Sequence, residues 1–175
     1  MNKIIFLVLL CISCKPTTNM TTTESLLSNK TSYCPEDGTC SVEFIENKSY
    51  TLNYDEFNKS YLDVENSSSF STFIFNYTKN PIANTEDSSY NEYVYLKLDS
   101  KTIQTGTFKD EQLYDFSPIY GRLCFCRGSN GYVKINNGSL QISKLTDKTY
   151  KVLFSFSVSE LPQTINTIEE IINFK

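Results

Sequence analysis

Large apolar residues alternate with small polar ones over much of this 175-residue chain, and this pattern constrains its fold more than any other feature. The alternation is clearest in residues 70–79 (FSTFIFNYTK) and 149–158 (TYKVLFSFSV). Successive side chains of a strand point to opposite faces, so a period of two produces one apolar and one polar face. Turn-forming Asn, Gly, Ser and Asp residues separate these segments, and no long segment has helical periodicity. The sequence therefore predicts an all-β fold, an antiparallel β-sandwich or a barrel-like form of it, in a single domain.

Weaker alternation predicts further strands at residues 40–44, 50–54 and 93–98. Asn47-Lys48 suits a short turn, which would pair the first two of these strands as a hairpin. Residues 55–69 are polar and irregular, with at most one short strand near Tyr61-Leu62.

The most specific local prediction is a β-hairpin over residues 132–144. Asn137-Gly138 is the preferred pair for a type I′ turn, because both central residues of that turn need positive φ. Closing the hairpin there sets Ile135 opposite Leu140 and places the apolar residues of both arms on one face. Turn chemistry and apolar pattern then select the same register.

The C-terminal segment fits two structures. Ile165, Ile168 and Ile172 have helical spacing, which would give one short helix over residues 164–172. A final strand over residues 171–174 fits the sequence equally well.

The N-terminus has the layout of a secretory signal. Lys3 supplies one positive charge, and residues 4–12 form an apolar run of nine, far below the roughly 18 that span a bilayer. The run ends in Ile12-Ser13-Cys14, which resembles the lipobox of bacterial lipoproteins, although Cys11 stands where that motif usually has Leu. The resemblance implies cleavage before Cys14, acylation of Cys14, and attachment to the inner or the outer membrane of a bacterium. Of these two, the outer membrane is favoured. An ordinary secretory signal is the alternative.

These features predict three parts: a signal peptide at 1–13, the lipidated cysteine with a polar, Thr-rich, flexible tether at 14–31, and the β-sandwich domain at 32–175. The full chain has 16 basic and 20 acidic residues; losing Lys3 with the signal leaves 15 and 20, a net charge of −5. A mildly acidic chain without basic clusters has no electrostatic signature for nucleic acid. The expected partners are the membrane, through the lipid, and a protein or a glycan.

Four cysteines remain in the predicted domain: Cys34, Cys40, Cys124 and Cys126. In an exported protein they are expected to form two disulfides, for which three pairings exist. Cys34 and Cys40 enclose five turn-forming residues and would face each other in a hairpin loop. In an extended strand Cys124 and Cys126 would lie about 6.6 Å apart at Cα with parallel Cβ vectors, so a bridge between them needs a bulge or a turn. This geometry favours the crossed pairing, and the two local bridges stay open.

Other chemistry at the cysteines is less favoured. A zinc site usually has two to four residues between paired ligands, and here the intervals are five and one. A redox role for Cys124-Phe125-Cys126 lacks the C-x-x-C spacing and its helix. The chain has no His, which excludes Ser-His-Asp and Cys-His nucleophile systems and His-based zinc centres. No metal or cofactor is therefore expected.

Arg122 and Arg127 flank the Cys124–Cys126 pair and are the only arginines of the chain. Guanidinium groups at this position could hold a carboxylate or a phosphate, so both are candidate ligand contacts. Two surface arginines beside a disulfide and a Gly-rich turn are the simpler interpretation.

Adjacent acidic residues offer carboxylates for calcium or for acid/base chemistry: Glu36-Asp37, Glu86-Asp87 and Glu169-Glu170. None has the spacing of an EF-hand loop. The sequence thus predicts a lipid-anchored envelope protein without catalytic activity, with a binding or structural role. The alternative is a surface hydrolase that acts on glycans through acidic residues on the β-scaffold.

Overall fold

The computed structural model describes residues 33–174, and this part of the chain folds into three antiparallel sheets and one 3₁₀ helix, Asp110–Phe116. The fold is all-β and sandwich-like, as predicted, and its sheets do not close into a barrel. The eleven strands are β1 (Gly38–Ile45), β2 (Lys48–Tyr54), β3 (Ser60–Asn66), β4 (Phe70–Lys79), β5 (Tyr90–Asp99), β6 (Gly106–Lys109), β7 (Ile119–Cys124), β8 (Gly131–Lys134), β9 (Asn137–Lys144), β10 (Thr149–Ser157) and β11 (Thr167–Asn173).

The larger sheet has five strands in the order β1-β4-β5-β7-β8, all antiparallel. Phe73, Phe75 and Tyr77 lie on one face of β4 and are fully buried, together with Val94 and Leu96 on the same face of β5. The period-two prediction for these strands is confirmed, because the residues that alternate as apolar are the ones that fill the core.

The smaller sheet has four strands in the order β11-β10-β9-β6 and covers the inner face of the larger one. The ring of Phe174 lies 5.6 Å from that of Phe44 in β1, and the ring of Phe156 lies 6.1 Å from that of Tyr120 in β7. In the larger sheet β4 and β5 lie between β1 and β7, so these two ring contacts are far apart across its strands. The strands of the smaller sheet therefore run across those of the larger sheet, as in orthogonal packing.

Strands β2 and β3 form a separate two-stranded ribbon over the outer face of the larger sheet. The predicted hairpin between β1 and β2 is wrong: the chain does turn at Asn47, with φ of 56°, but β1 pairs with β4. The Thr72 hydroxyl donates to the Lys48 carbonyl at 2.9 Å, and the Asn47 N–H donates to the Ser71 hydroxyl at 3.3 Å. These contacts with β4 hold the start of β2 above the sheet rather than beside β1.

The predicted hairpin around Asn137-Gly138 is also wrong. Both residues lie within β9, which pairs with β10, whereas β8 pairs with β7 in the other sheet. The chain crosses between the sheets at Ile135, which is buried and whose N–H donates to the Pro118 carbonyl at 2.9 Å. Gly138 serves close approach instead of a turn, because a Cβ there would lie 2.5 Å from the Ser155 carbonyl oxygen.

Two further expectations are corrected. Residues 167–173 form β11, so the helical interpretation of the C-terminal isoleucines is wrong and the strand extends further than predicted. Ile168 and Ile172 are both buried because they lie an even number of residues apart on one face of this strand. The short strand expected near Tyr61-Leu62 is present, but it extends over residues 60–66 as β3, which were otherwise expected to be irregular.

The larger sheet has two ends, which differ in chemistry. At the first, called the disulfide end, β1, β5 and β8 begin and β4 and β7 end, at Gly38, Tyr90, Gly131, Lys79 and Cys124. At the second, called the groove end, β5 ends, β7 begins and β8 ends, at Asp99, Ile119 and Lys134. The described chain enters at the disulfide end, at Tyr33.

Candidate functional site

A groove of about 320 Å³ opens at the groove end, between strand β2 of the ribbon and the start of β7. It is called the lysine groove here, and its principal side chains are Tyr50, Leu52, Lys97, Tyr114, Ile119 and Lys134. No Asp or Glu lines it among residues 33–174. Its volume is in the range of small-molecule sites.

Two lysines from different strands share this groove. Lys134 of β8 is the register partner of Ile119, which in turn is the partner of Tyr95, two residues before Lys97 in β5. Lys97 and Lys134 therefore lie on the outer face of the sheet with one strand between them. Strand spacing and rise place their Cα atoms about 12 Å apart, so their long side chains can reach one ligand from two sides.

Lys97 is half-buried and lies against aromatic rings. Its Nζ is 5.1 Å from the ring centroid of Tyr50 and 5.8 Å from that of Phe70. Burial lowers the pKa of Lys97, and the more distant charge of Glu65 opposes that shift in part. Within residues 33–174, neither Lys97 nor Lys134 has a carboxylate oxygen within 4.0 Å of its Nζ. The groove thus holds two ammonium groups that form no ion pair with a described carboxylate.

Tyrosines form the base and the rim of the groove. The Tyr50 hydroxyl donates to the Ser117 carbonyl at 2.8 Å. Burial raises the pKa of Tyr50, so the bottom of the groove stays neutral. Tyr114 stands at the rim with 61 % of its surface exposed. The 3₁₀ helix presents Tyr114 outward because Leu113 and Phe116 of the same helix are buried in the core.

The two predicted disulfides lie at the opposite end of the larger sheet and have local pairing: Cys34–Cys40 and Cys124–Cys126. The favoured crossed pairing is wrong. Strand β7 ends at Cys124 and the chain bends at Phe125, which brings the two Cα atoms to 5.1 Å rather than the spacing of an extended strand. This is the turn that a bridge within the pair requires. Because all four sulfurs are bridged, the zinc alternative has no thiolate ligands here.

The two arginines, the predicted ligand contacts, do not form a common anion site. Arg122 Nε donates to the Tyr90 hydroxyl at 3.2 Å and its NH1 donates to the Ser129 carbonyl at 2.8 Å, while its guanidinium lies over the Tyr90 ring. These bonds fix the turn after β7. Arg127 is exposed in that turn.

A buried carboxylate beside Arg122 is the largest polar feature that sequence reasoning missed. Glu92 is 1 % exposed and accepts hydrogen bonds from the Thr164 N–H at 2.8 Å, from the Ile165 N–H at 2.7 Å and from the Tyr90 hydroxyl. These bonds tie the loop between β10 and β11 to β5. A signal was present in the sequence, because Glu92 has the same parity in β5 as the core residue Val94.

The predicted carboxylate pairs have separate environments. Asp37 accepts from the Tyr77 hydroxyl at 2.7 Å and pairs with Lys79 at 3.0 Å, and these two contacts hold its pKa below the usual value. Glu169 pairs with Lys151 on the outer side of β11, and Glu170 is buried. Glu86-Asp87 is exposed in the β4–β5 loop.

A second cavity of about 350 Å³ shares Lys97 with the lysine groove and is also lined by Asp99, Asp115, Phe70 and Gln104. The backbone N–H groups of Thr102 and Lys101 lower the pKa of Asp99. A glycosidase needs one carboxyl group with a raised pKa as its general acid, so the shift at Asp99 is in the opposite direction. Across residues 33–174, no cluster of three or more His, Cys, Asp or Glu side chains is arranged to hold a metal ion.

Cys14, the predicted lipidation site, lies outside the described residues. Within 33–174 there is no helix with the length and apolar character to cross a bilayer.

Fold and groove together define a class, an all-β sandwich with a cationic groove between its ribbon and its larger sheet. Comparisons with protein families, with curated proteins and with solved structures found no match to this chain. The function of this protein is therefore inferred from the geometry and chemistry of the site itself.

Proposed function

We propose that this protein is a non-catalytic binding module of the bacterial envelope, anchored by a lipid on Cys14, that holds an anionic ligand in the lysine groove. The observation that carries the proposal is the pairing of Lys97 and Lys134 in a groove whose described lining contains no acid. In a protein with an excess of acidic residues, two lysines that share one groove and form no ion pair are the feature that favours an anion there.

The ligand class follows from the lining. Two ammonium groups suit a carboxylate or a phosphate, and the half-buried position of Lys97 strengthens its attraction to an anion relative to an exposed lysine. Tyr114 at the rim and Leu52 beside it offer apolar contact for a ring or a short chain. We therefore propose a small acid with a ring, such as an acidic sugar, or the acidic end of a polymer.

The direct test is an NMR titration of the protein with three probes: glucuronate, inorganic phosphate and uncharged glucose. We expect glucuronate to shift resonances around Lys97 and Lys134 with a Kd of about 1 mM, since a fragment makes few contacts. Glucose should cause no shift there. Added salt should weaken glucuronate binding because it screens the two charges.

Matched variants test the role of each lysine. Lys97→Met and Lys134→Met should each weaken glucuronate binding about tenfold, the loss of one charge-assisted contact of about 1.4 kcal/mol. Lys148→Met removes an equal charge from the exposed β9–β10 turn and should leave binding unchanged. Equal effects of all three variants, or binding of no anionic probe, would refute the proposed site.

The lipid anchor has its own test. Cys14→Ser should move the protein from the membrane fraction to the soluble fraction, and intact mass of the unaltered protein should show a chain that begins at acylated Cys14. A membrane fraction unchanged by Cys14→Ser would exclude the anchor and leave the groove proposal standing by itself.

A further inference from the structure

The disulfide end carries exposed apolar side chains on neighbouring loops. Phe125 follows β7 with 78 % of its surface exposed, and Ile82 in the β4–β5 loop is 65 % exposed. Tyr33, where the described chain begins, is half-exposed. The strand register brings all three loops to the same end of the larger sheet. Large apolar groups at one end of a domain indicate an interaction surface.

The Phe125 loop is held in place by its neighbours. The Cys124–Cys126 bridge closes a ring around Phe125, and Asn130 Nδ2 donates to the Cys124 carbonyl at 3.2 Å. Arg122 adds its bond to the Ser129 carbonyl at 2.8 Å. A ring of three residues leaves the backbone little freedom to fold Phe125 back onto the domain. An exposed aromatic side chain on a preorganised loop loses little entropy when it binds.

The position of the predicted anchor identifies the partner of this surface. Eighteen residues, 15–32, separate Cys14 from Tyr33, which belongs to the disulfide end. If these residues form the flexible tether that the sequence predicts, the domain stays within roughly 25 Å of the membrane on average. Such confinement raises the local concentration of lipid to a level at which one or two apolar contacts suffice for docking.

We propose that the disulfide end docks on the lipid bilayer, with Phe125 inserted at the interface and Arg127 beside it at the level of the lipid phosphates. This inference rests on the lipid anchor of the proposed function. Glu86 and Asp87 share this end and would be repelled by an anionic surface, so the surface that fits is one of zwitterionic lipid. Aromatic and arginine side chains are typical of proteins that lie in the membrane interface.

Docking in this orientation has a consequence for the lysine groove. The groove opens at the other end of the larger sheet, and the length of β7 separates Ile119 at its base from Cys124 by about 17 Å. The groove would therefore face away from the membrane that carries the protein, towards ligands in the adjacent compartment.

The absence of Trp in the chain makes a clean experiment available. Full-length acylated protein carrying Phe125→Trp is reconstituted into phosphatidylcholine vesicles that contain brominated lipid, and its tryptophan fluorescence is measured. We expect a blue-shifted emission and loss of most of the fluorescence to bromine quenching. The matched control is Tyr114→Trp at the groove end, which should remain unshifted and unquenched.

Two further measurements keep the result decisive. Ile82→Trp reports on the neighbouring loop without altering the disulfide ring and should be quenched to an intermediate degree. Flotation of each variant with the vesicles shows whether the anchor holds. If the protein floats while neither Phe125→Trp nor Ile82→Trp shows quenching, the docking is overturned and the anchor stays intact. A protein that fails to float overturns both. A blue shift without quenching means that the Trp side chain is buried against the protein itself and overturns the bilayer as the partner.

Discussion

The two ends of the larger sheet differ in whether their principal charged side chains have partners within the protein. At the disulfide end, Asp37 has Lys79 and Tyr77 as partners, and Arg122 and Glu92 each have several hydrogen bonds. At the groove end, Lys97 and Lys134 form no ion pair with a carboxylate among the described residues. Polar groups that are saturated within the protein stabilise the fold, whereas charged groups without a counter-charge are available to a ligand. This difference separates the structural residues of the molecule from its candidate binding residues.

Removal of the Glu92 side chain should have the largest effect. In Glu92→Ala the N–H groups of Thr164 and of buried Ile165 lose their acceptor, and we expect the free energy of unfolding to fall by about 4 kcal/mol. Urea denaturation measures the change. Glu86→Ala, at an exposed carboxylate of the same end, should stay within about 0.5 kcal/mol of the unaltered protein. Similar losses in both variants would contradict the structural role of Glu92.

Alkaline pH should test whether Tyr120 in the core and Tyr50 in the lysine groove are equally shielded from water. Burial raises the pKa of Tyr120, with the charge of Glu92 adding to the shift, and burial raises the pKa of Tyr50. A tyrosine whose pKa is raised by folding contributes its full stability below the unfolded value of about 10 and loses it as the pH rises further. Above about pH 10, each of these two tyrosines should therefore lower the free energy of unfolding by about 1.4 kcal/mol per pH unit.

Tyr120→Phe and Tyr50→Phe should each flatten this decline by the same amount, measured by urea denaturation at several values between about pH 9 and pH 12. At neutral pH each variant should lose about 1 kcal/mol, the hydrogen bond to the carbonyl of Pro162 or Ser117. A slope that changes in only one variant would show that water reaches the other tyrosine.

The two disulfides should contribute unequally. Loop-closure entropy gives about 2.4 kcal/mol for the seven-residue loop of Cys34–Cys40 and about 1.6 kcal/mol for the three-residue loop of Cys124–Cys126. The paired variants Cys34→Ser/Cys40→Ser and Cys124→Ser/Cys126→Ser should show losses in that order in urea. Anion binding at the groove end should be unaffected in both, and a loss of binding would show that the two ends are coupled.

The sequence predicted which segments are strands better than which strands are neighbours. Alternation is a local property, so β4, β5 and β10 were recognisable from their own residues. Asn137-Gly138 favours a type I′ turn, but the burial of Ile135, where the chain crosses between the sheets, outweighs this local preference. The same holds for the turn at Asn47, where side chains of β4 decide where β2 goes.

The candidate site was harder to predict than the fold. Lys97 and Lys134 lie 37 positions apart, and only the sheet order β5-β7-β8 brings them to one groove. The arginines were conspicuous because they flank a Cys-x-Cys motif, yet the bonds of Arg122 are internal. Tertiary structure decides which groups a charged side chain contacts. A sequence alone therefore cannot distinguish a cation bonded within the protein from one that is free to bind a ligand.

The smallest predicted effect concerns Lys97 and distinguishes function from stability most directly. A lysine whose pKa is lowered by burial binds its proton less readily in the folded state, so its charge opposes folding below that pKa. Because Lys97 is partly exposed and screened, Lys97→Met should raise the free energy of unfolding at pH 7 by only about 0.5 kcal/mol. Lys148→Met should leave it unchanged. A Lys97→Met variant that is slightly more stable and yet binds glucuronate about tenfold more weakly would identify Lys97 as a binding residue that does not stabilise the fold. Glu92, in contrast, stabilises the fold. A destabilised Lys97→Met would instead mean that its contacts with Tyr50 and Phe70 are structural, and the two ends would then differ less than their charges indicate.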